Sequence, residues 1–227
     1  MGPARQRAYL RAMGITAWVR REHAAVDDGS AASEQIAPAV NEADWATLQN
    51  QVADCTRCRL CETRTQTVFG VGDPAADWMV IGEAPGAEED RQGEPFVGRA
   101  GQLLNAILRS VGLQRDAVFI ANILKCRPPQ NRDPKSDEVE KCLPYLEGQV
   151  NLIRPRLILA LGRVAAQNLL GSSEPIGRMR GRVHTFGEER IPVVVTYHPA
   201  YLLRSPLEKR KVWQDMQMAV SIAQDAR

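Results

Sequence analysis

The chain has 227 residues, of which 44% are hydrophobic and 25% charged, with a formal net charge of +2. This balance is globular, and the length suits one domain, or one domain with an arm, that buries roughly 70% of its unfolded surface. A mostly disordered chain and a coiled coil are disfavoured. No run of about 18 apolar residues exists to span a membrane, and without an apolar signal-peptide core the expected compartment is the cytoplasm.

The charge is unevenly spread. Residues 1–26 carry five Arg and one Glu, residues 27–54 carry six acids and no Lys or Arg, and the remainder is mildly basic. A basic body permits a nucleic-acid partner without demonstrating one. Residues 1–26 read as a basic, helical N-terminal arm, with Tyr9, Leu10, Met13, Trp18 and Val19 on its apolar side. Residues 27–43 read as an acidic linker rich in Ser, Ala and Pro, and 44–227 as the compact domain. The arm is available to dock on the body or to meet a protein partner, and its sequence does not choose.

Within the domain, Trp45, Leu48 and Val52 sit at helical spacing over 42–53. A strand is predicted at Trp78–Gly82, a helix at 101–111, a strand at Ala117–Ala121 and a helix at 135–153. A strand within Arg156–Gly162, a short helix at Val164–Leu170, a strand at Ile191–Tyr197 and a helix at 207–223 follow. Apolar strands alternating with helices predict a parallel sheet covered on both faces. Such folds bind ligands at the carboxyl ends of their strands. The chemistry-bearing clusters begin there: Gly82–Gly86, Asn122–Pro129, Gly162 and His198–Pro199.

There are five cysteines, Cys55, Cys58, Cys61, Cys126 and Cys142. An odd count in a reducing compartment disfavours a disulfide framework. Cys55 and Cys58 form a Cys-x2-Cys pair, and Cys126 and Cys142 bracket the loop after a strand. Four thiolates can enclose zinc or a [4Fe–4S] cluster. The spacing leaves zinc, iron–sulfur and metal-free thiols open, and Cys61 permits a second ligand assignment.

The loops carry further candidates. Gly82-Glu83-Ala84-Pro85-Gly86 allows a tight turn facing a ligand, with the Glu83 carboxylate able to position water. It matches neither the dinucleotide nor the P-loop glycine pattern. Phe96, set among Pro and Gly, suits stacking on a planar ligand, or else plugs the core. The Asn122 amide has one acceptor and two donors with which to read a base edge. His198 alone of the three histidines falls at a strand end, where a neutral imidazole can donate to a developing anion. Leu202 and Leu203 beside Arg204 suit a wedge in a base stack with an arginine on phosphate. Lys125, Arg178, Arg180 and Arg182 are further phosphate ligands, or solvated surface charge.

Taken in order, Cys55-Thr56-Arg57-Cys58, Gly82–Gly86, Pro95–Gly101, Asn122–Pro129 and His198–Leu203 resemble the family 4 uracil-DNA glycosylases, the bacterial and archaeal iron–sulfur type. The resemblance covers about residues 45–223. It implies an α/β/α sandwich around a four-stranded parallel sheet and a [4Fe–4S] cluster held by Cys55, Cys58, Cys126 and Cys142, with Cys61 a neighbour. It implies that Phe96 stacks on uracil and Asn122 meets its polar edge, with Gly82 and Ala84 beside it and His198 stabilising charge at O2. The broader superfamily often carries Asp where Ala84 stands, so water handling falls to Glu83. The acidic run Glu88–Asp90 shapes the pocket.

The expected activity is monofunctional: uracil is flipped out of DNA, single- or double-stranded, its N-glycosidic bond is hydrolysed, and an abasic site remains. A monomer is expected. The rivals are an inactive metal-stabilised nucleic-acid-binding protein, a glycosylase for another deaminated base such as hypoxanthine, and a nucleotide-binding metabolic enzyme.

Overall fold

The computed structural model describes residues 42–225. The predicted N-terminal arm, and all of the linker except its last two residues, lie outside the described residues.

Trp45, Leu48 and Val52 lie on one side of helix α1, Glu42–Ala53. Trp45 stands edge-on to Phe69 and Phe119, with ring centroids 5.2 Å away in each case. Six strands follow in chain order: β1 (Val71–Gly72), β2 (Trp78–Gly82), β3 (Phe119–Asn122), β4 (Leu157–Leu161), β5 (Val183–Phe186) and β6 (Ile191–Thr196). The remaining helices are α2 (Ala87–Gln92), α3 (Arg99–Ser110), α4 (Ser136–Ile153), α5 (Arg163–Leu170), α6 (Ile176–Met179), α7 (Pro199–Arg204) and α8 (Lys209–Asp225). Among the described residues no helix is long and apolar enough to cross a membrane.

The sheet order is β1-β3-β2-β4-β6-β5. The four predicted strands form its parallel centre. The expectation of a four-stranded parallel sheet is nevertheless overturned: the sheet has six strands and is mixed, because β1 and β5 pair antiparallel on its two edges. Physical reasons explain why both edges escape a periodicity reading. β1 is two residues long. β5 is a half-exposed strand, Val-His-Thr-Phe, without the apolar run of a central strand. It joins β6 through a turn at Gly187–Arg190, where Gly187 and Arg190 both have positive φ.

Alternation along the strands divides the interior in two. Met79, Ile81, Phe119, Ala121, Ile158, Ala160, Val193 and Val195 face α1, α4 and α5. Val80, Ile120, Leu157, Leu159, Leu161 and Val194 face α3, α7 and α8 through Leu104, Leu108, Leu202, Val212 and Met216. Both faces of the central strands are therefore buried. The backbone groups at their carboxyl ends are the first to leave this packing, and the loops there are positioned from both sides.

Candidate active site

Strand register assembles the site. Gly82 pairs with Asn122 across β2 and β3. The ladder continues past both strands, with Ile123 N–H donating to Gly82 O at 3.0 Å and Leu124 N–H to Glu83 O at 3.1 Å. On the other side Leu161 pairs with Thr196, and Gly162 N–H donates to Thr196 O at 2.8 Å. Gly162 has φ +90°, and a Cβ there would lie 2.9 Å from His198 Cβ. Glycine is thus required for the β4 and β6 exits to run this close. The loops open on a cavity of about 500 Å³ whose lining includes Glu83, Ala84, Phe96, Asn122, His198 and Arg204. This volume falls in the range of small-molecule sites.

Phe96 is 6% exposed and has φ +54°, a left-handed conformation costing a non-glycine residue roughly 1–3 kcal/mol. Several contacts hold it there. Arg115 donates to Phe96 O at 3.3 Å and to Pro95 O at 2.6 Å. Glu89 accepts from Gly86 N–H at 3.1 Å, Val97 N–H at 3.0 Å and Gly98 N–H at 3.3 Å, so one carboxylate ties the Gly86 turn to the Phe96 loop. Gly101 lets α3 begin against the loop, since a Cβ there would lie 1.7 Å from Phe96 O. The Phe96 ring sits 5.5 Å from the His198 ring, tilted by 32°. It also abuts Gly82, where a Cβ would lie 2.7 Å from Phe96 Cζ and 2.4 Å from Asn122 Oδ1. Phe96, Asn122 and His198 therefore share one cavity.

Its polar groups are poised for a ligand. Asn122 is 2% exposed, and its Oδ1 is buried without a hydrogen-bond partner. Such an acceptor costs about 1–3 kcal/mol unless something arrives to satisfy it. Lys125 Nζ donates to Asn122 O at 3.0 Å and to Gln149 Oε1 at 2.6 Å, fixing the backbone behind that amide. Burial, helped by Arg204 and opposed by Glu89, lowers the His198 pKa to about 4, so its ring is neutral at pH 7. His198 Nδ1 accepts from Ala200 N–H at 3.2 Å. The neutral ring's proton is therefore on Nε2, leaving that atom as the donor. Burial and the Asp133 charge raise Glu83 to about 6, against the opposing pull of Arg163. Glu83 is ionised at pH 7 yet basic enough to hold or take a proton.

A model of the uracil DNA glycosylase superfamily matches residues 69–217, a span containing every one of these groups. A type-4 uracil-DNA glycosylase of Sulfurisphaera tokodaii is 40% identical over 183 residues, covering 78% of this chain and 83% of that protein. The type-4 enzyme of Archaeoglobus fulgidus is 45% identical over 70% of this chain and 83% of its own length, and that of Thermotoga maritima 40% over 77% and 92%. The chain belongs to the type-4 uracil-DNA glycosylase family.

The iron–sulfur cluster implied by the resemblance to type-4 glycosylases, and the zinc alternative, are overturned by the arrangement of the cysteines. Among the described residues no group of three or more His, Cys, Asp or Glu is placed to hold a metal ion. Cys55, Cys58, Cys61, Cys126 and Cys142 are all free thiols. Cys126 Sγ accepts from Arg64 Nη1 at 3.1 Å, and Cys142 Sγ from Lys125 N–H at 3.2 Å. Burial pushes Cys126 up to about 11 and raises Cys58 and Cys142 as well. These sulfurs instead pack with the core beneath β3 and α4.

The structure divides the residues expected to face DNA in this type-4 glycosylase. Three belong to the interior. Lys125 is 1% exposed, with its ammonium committed to Asn122 and Gln149. Arg180 donates Nε to buried Asp215 at 2.8 Å and lies 4.5 Å over the Tyr197 ring, bracing the residues before His198. Leu202 is fully buried and anchors α7 in the core. A phosphate or a base stack cannot reach these groups without unpacking the domain. Arg178, Arg182, Leu203 and Arg204 are exposed, with Arg182 paired to Glu174. Sequence reasoning missed Arg115, and left Glu89 undistinguished within the acidic run. Glu88 pairs with Arg91 on the surface, whereas Asp90 accepts from Thr65 N–H at 2.9 Å. The readable signal was Glu89 three residues after Gly86, the spacing at which a carboxylate accepts from the backbone N–H at the start of a helix, as Glu89 does from Gly86 at the start of α2. Arg115 left no comparable sign.

Proposed function

We propose that this chain hydrolyses the N-glycosidic bond of uracil in DNA, giving free uracil and an abasic site without cutting the strand. One observation carries the reading: an aromatic ring, an orphaned amide and a neutral imidazole converge on one cavity at the strand ends. A base inside a duplex cannot reach such a pocket, so the nucleotide is extruded at a cost of a few kcal/mol.

Phe96 stacks on the extruded base. The Asn122 amide, with Oδ1 unsatisfied, accepts from uracil N3–H and donates to O4, and Gly82 and Ala84 leave the ring room. Cytosine presents an acceptor at N3 and a donor at N4 and mismatches that orientation. As the bond to C1′ breaks, charge grows on the base and positive character on the sugar. His198 donates Nε2–H toward O2, and losing such a donor costs roughly 3–4 kcal/mol of transition-state stabilisation. Ionised Glu83 orients water toward C1′ and favours the positive sugar. No lysine is needed as a nucleophile, and Lys125 serves as a prop behind Asn122. Arg178, Arg182, Leu203 and Arg204 are the exposed candidates for DNA contact, phosphate contacts positioning the strand and the pocket selecting the base.

The test is release of uracil from end-labelled single- and double-stranded DNA, with strand scission scored before and after alkali. Wild type should release uracil and leave scission dependent on alkali. His198→Ala and Asn122→Ala should each fall by about 10²–10³ in kcat/KM. Binding without release would identify a non-catalytic DNA-binding protein, and preferred release of hypoxanthine a different base specificity. Scission without alkali would refute the hydrolytic mechanism.

A further inference from the structure

Three separate segments converge on one buried oxygen behind His198. Asp215, on α8, is 2% exposed. Its Oδ2 accepts from Thr196 Oγ1 at 2.6 Å, and from Arg180 Nε at 2.8 Å and Nη2 at 2.6 Å. Arg180 also donates Nη2 to Lys211 O at 2.6 Å, so it is fastened to α8 at two points. Thr196 is buried at the end of β6, on the side of the strand where Val194 faces α8. The three residues before it are valines. At this one position the run breaks and places a hydroxyl on a carboxylate.

The arrangement is an unfavourable way to fill a core. Both members of the ion pair are buried, and burial raises the Asp215 pKa even against the bonds from Thr196 and Arg180. A buried ion pair is commonly no more stable than apolar side chains of similar volume. What it adds is direction, since each bond fixes an angle as well as a distance. That direction bears on His198. Thr196 lies two residues before it, and Thr196 O is held from the β4 side by Gly162 N–H. Tyr197, between them, has the Arg180 guanidinium 4.5 Å over its ring and the Tyr201 ring 5.0 Å away. Arg180 follows α6, whose Met179 packs in the core on the opposite face of the sheet from α8. The pair therefore ties the two helical layers together where β6 gives way to the His198 turn.

We propose that Asp215 is a positioning residue for His198: through Thr196 and Arg180 it sets the course of the chain leaving β6 and holds the imidazole where Nε2 meets the charge developing on the base. This deepens, and rests on, the uracil-excision reading. Asp215 does not line the cavity, so it acts only through the placement of the donor. A misplacement of about 1 Å at such a group costs about 100-fold in rate. Phe96 and Asn122 are carried by other elements, so affinity for the base does not depend on this network.

The experiment compares wild type, Thr196→Val, Thr196→Ser and the double variant Arg180→Met/Asp215→Leu. Removing either member of the ion pair alone would strand a buried charge, so the two are replaced together, and denaturant titration should find the double variant as stable as wild type or more so. Single-turnover uracil release is measured against enzyme concentration, which separates the rate constant from half-saturation. Thr196→Val should lose about tenfold and the double variant about 100-fold in rate constant, with half-saturation unchanged. Thr196→Ser, which keeps the hydroxyl, should keep the rate. Nitrogen NMR of histidine-labelled protein at pH 7, without DNA, reads the ring directly. His198, assigned from His198→Ala, should be a single Nε2–H tautomer in wild type and Thr196→Ser, and a mixture in the other two, because the Ala200 N–H bond that selects the tautomer depends on the ring's placement. A wild-type rate in Thr196→Val, a loss carried by half-saturation, an equal loss in Thr196→Ser, or an unaltered His198 spectrum would overturn the proposal. Should the double variant fail to fold, the two Thr196 variants decide alone. Absence of uracil release by wild type would instead defeat the excision reading, while the ring spectrum still decides whether this network sets the imidazole.

Discussion

Gly82→Ala tests the pocket at its narrowest point. An added Cβ would lie 2.4 Å from Asn122 Oδ1 and 2.7 Å from Phe96 Cζ. Non-bonded heavy atoms settle at about 3.5–4.0 Å, so one or both side chains must retreat by roughly 1 Å. Asn122 is backed by the Lys125 bond to its carbonyl, and Phe96 by Arg115 and Gly101. The clash therefore cannot be absorbed by an idle side chain. Overpacking of this kind costs about 1–3 kcal/mol of stability, which a domain with two cores survives. The same displacement at reacting groups costs about 100-fold in rate. The assay is single-turnover uracil release with the active fraction titrated, alongside thermal unfolding. The control is Gly177→Ala, where the added carbon meets nothing within 4 Å. A folded Gly82→Ala protein with the wild-type rate constant would show that Asn122 and Phe96 do not jointly contact the reacting base.

Three further outcomes are expected. The acid limb of kcat/KM should have a midpoint near pH 6, the value to which burial raises Glu83, because its ionised form is the working one; Glu83→Gln should abolish the limb and cost about 10²–10⁴ in rate, and a limb that survives would reassign it. Stability has the opposite signs at the two groups. Glu83 is raised from 4.5 to about 6, so its share falls by up to about 2 kcal/mol as pH rises through that interval. His198 is lowered from 6.5 to about 4, so its share is complete above pH 6.5 and about 3 kcal/mol is lost as pH falls to 4. Denaturant titrations of wild type and His198→Gln at pH 4.5 and 7 should differ accordingly, and equal pH dependence would refute the buried neutral ring. Lys125→Met should strand Gln149 Oε1 and lower stability by about 1–3 kcal/mol, with a larger rise in KM than the surface change Lys141→Gln; unchanged KM would show that Asn122 needs no support from behind.

The central fold was legible because its strands are continuous apolar runs, such as Leu157–Leu161, whose only stable home is a sheet covered on both faces. The edges were not, since Val71–Gly72 is too short for any period and Val183–Phe186 is fixed by its hairpin with β6. Leu202 shows a different limit. Pro199 was visible as a helix start, yet the segment read as a loop, and a leucine in a loop looks exposed. As part of α7 it turns inward and becomes fully buried. Lys125 and Arg180 looked like surface cations because sequence does not show a buried acceptor such as Gln149 or Asp215. Asn122 and His198 stood out because each follows an apolar run at a strand end, and Phe96 because it is a lone aromatic among prolines and glycines. Their meeting point depended on the Gly82–Asn122 and Leu161–Thr196 registers, which are tertiary facts.

The local rules are broken most densely around the cavity. Phe96 takes a left-handed backbone conformation, Asn122 keeps an orphaned acceptor, Glu83 is raised and His198 lowered by burial. The Phe96 backbone and the Asn122 acceptor carry a cost in the empty fold, and on the proposed reading the binding of a planar, hydrogen-bonding base offsets it. The supports are distributed differently: Glu89, Arg115, Lys125 and Arg180 are satisfied by hydrogen bonds and gain nothing from a ligand. This separation gives a criterion that composition cannot supply. Removing a support should disturb stability and binding together, whereas removing Asn122 should relieve a local cost and leave stability at pH 7 equal or higher while excision collapses; His198→Ala, which also removes the acceptor of Ala200 N–H, should lose about 0.5–2 kcal/mol. An Asn122→Ala protein that unfolds more readily than wild type at neutral pH would place that residue among the supports rather than at the reacting base.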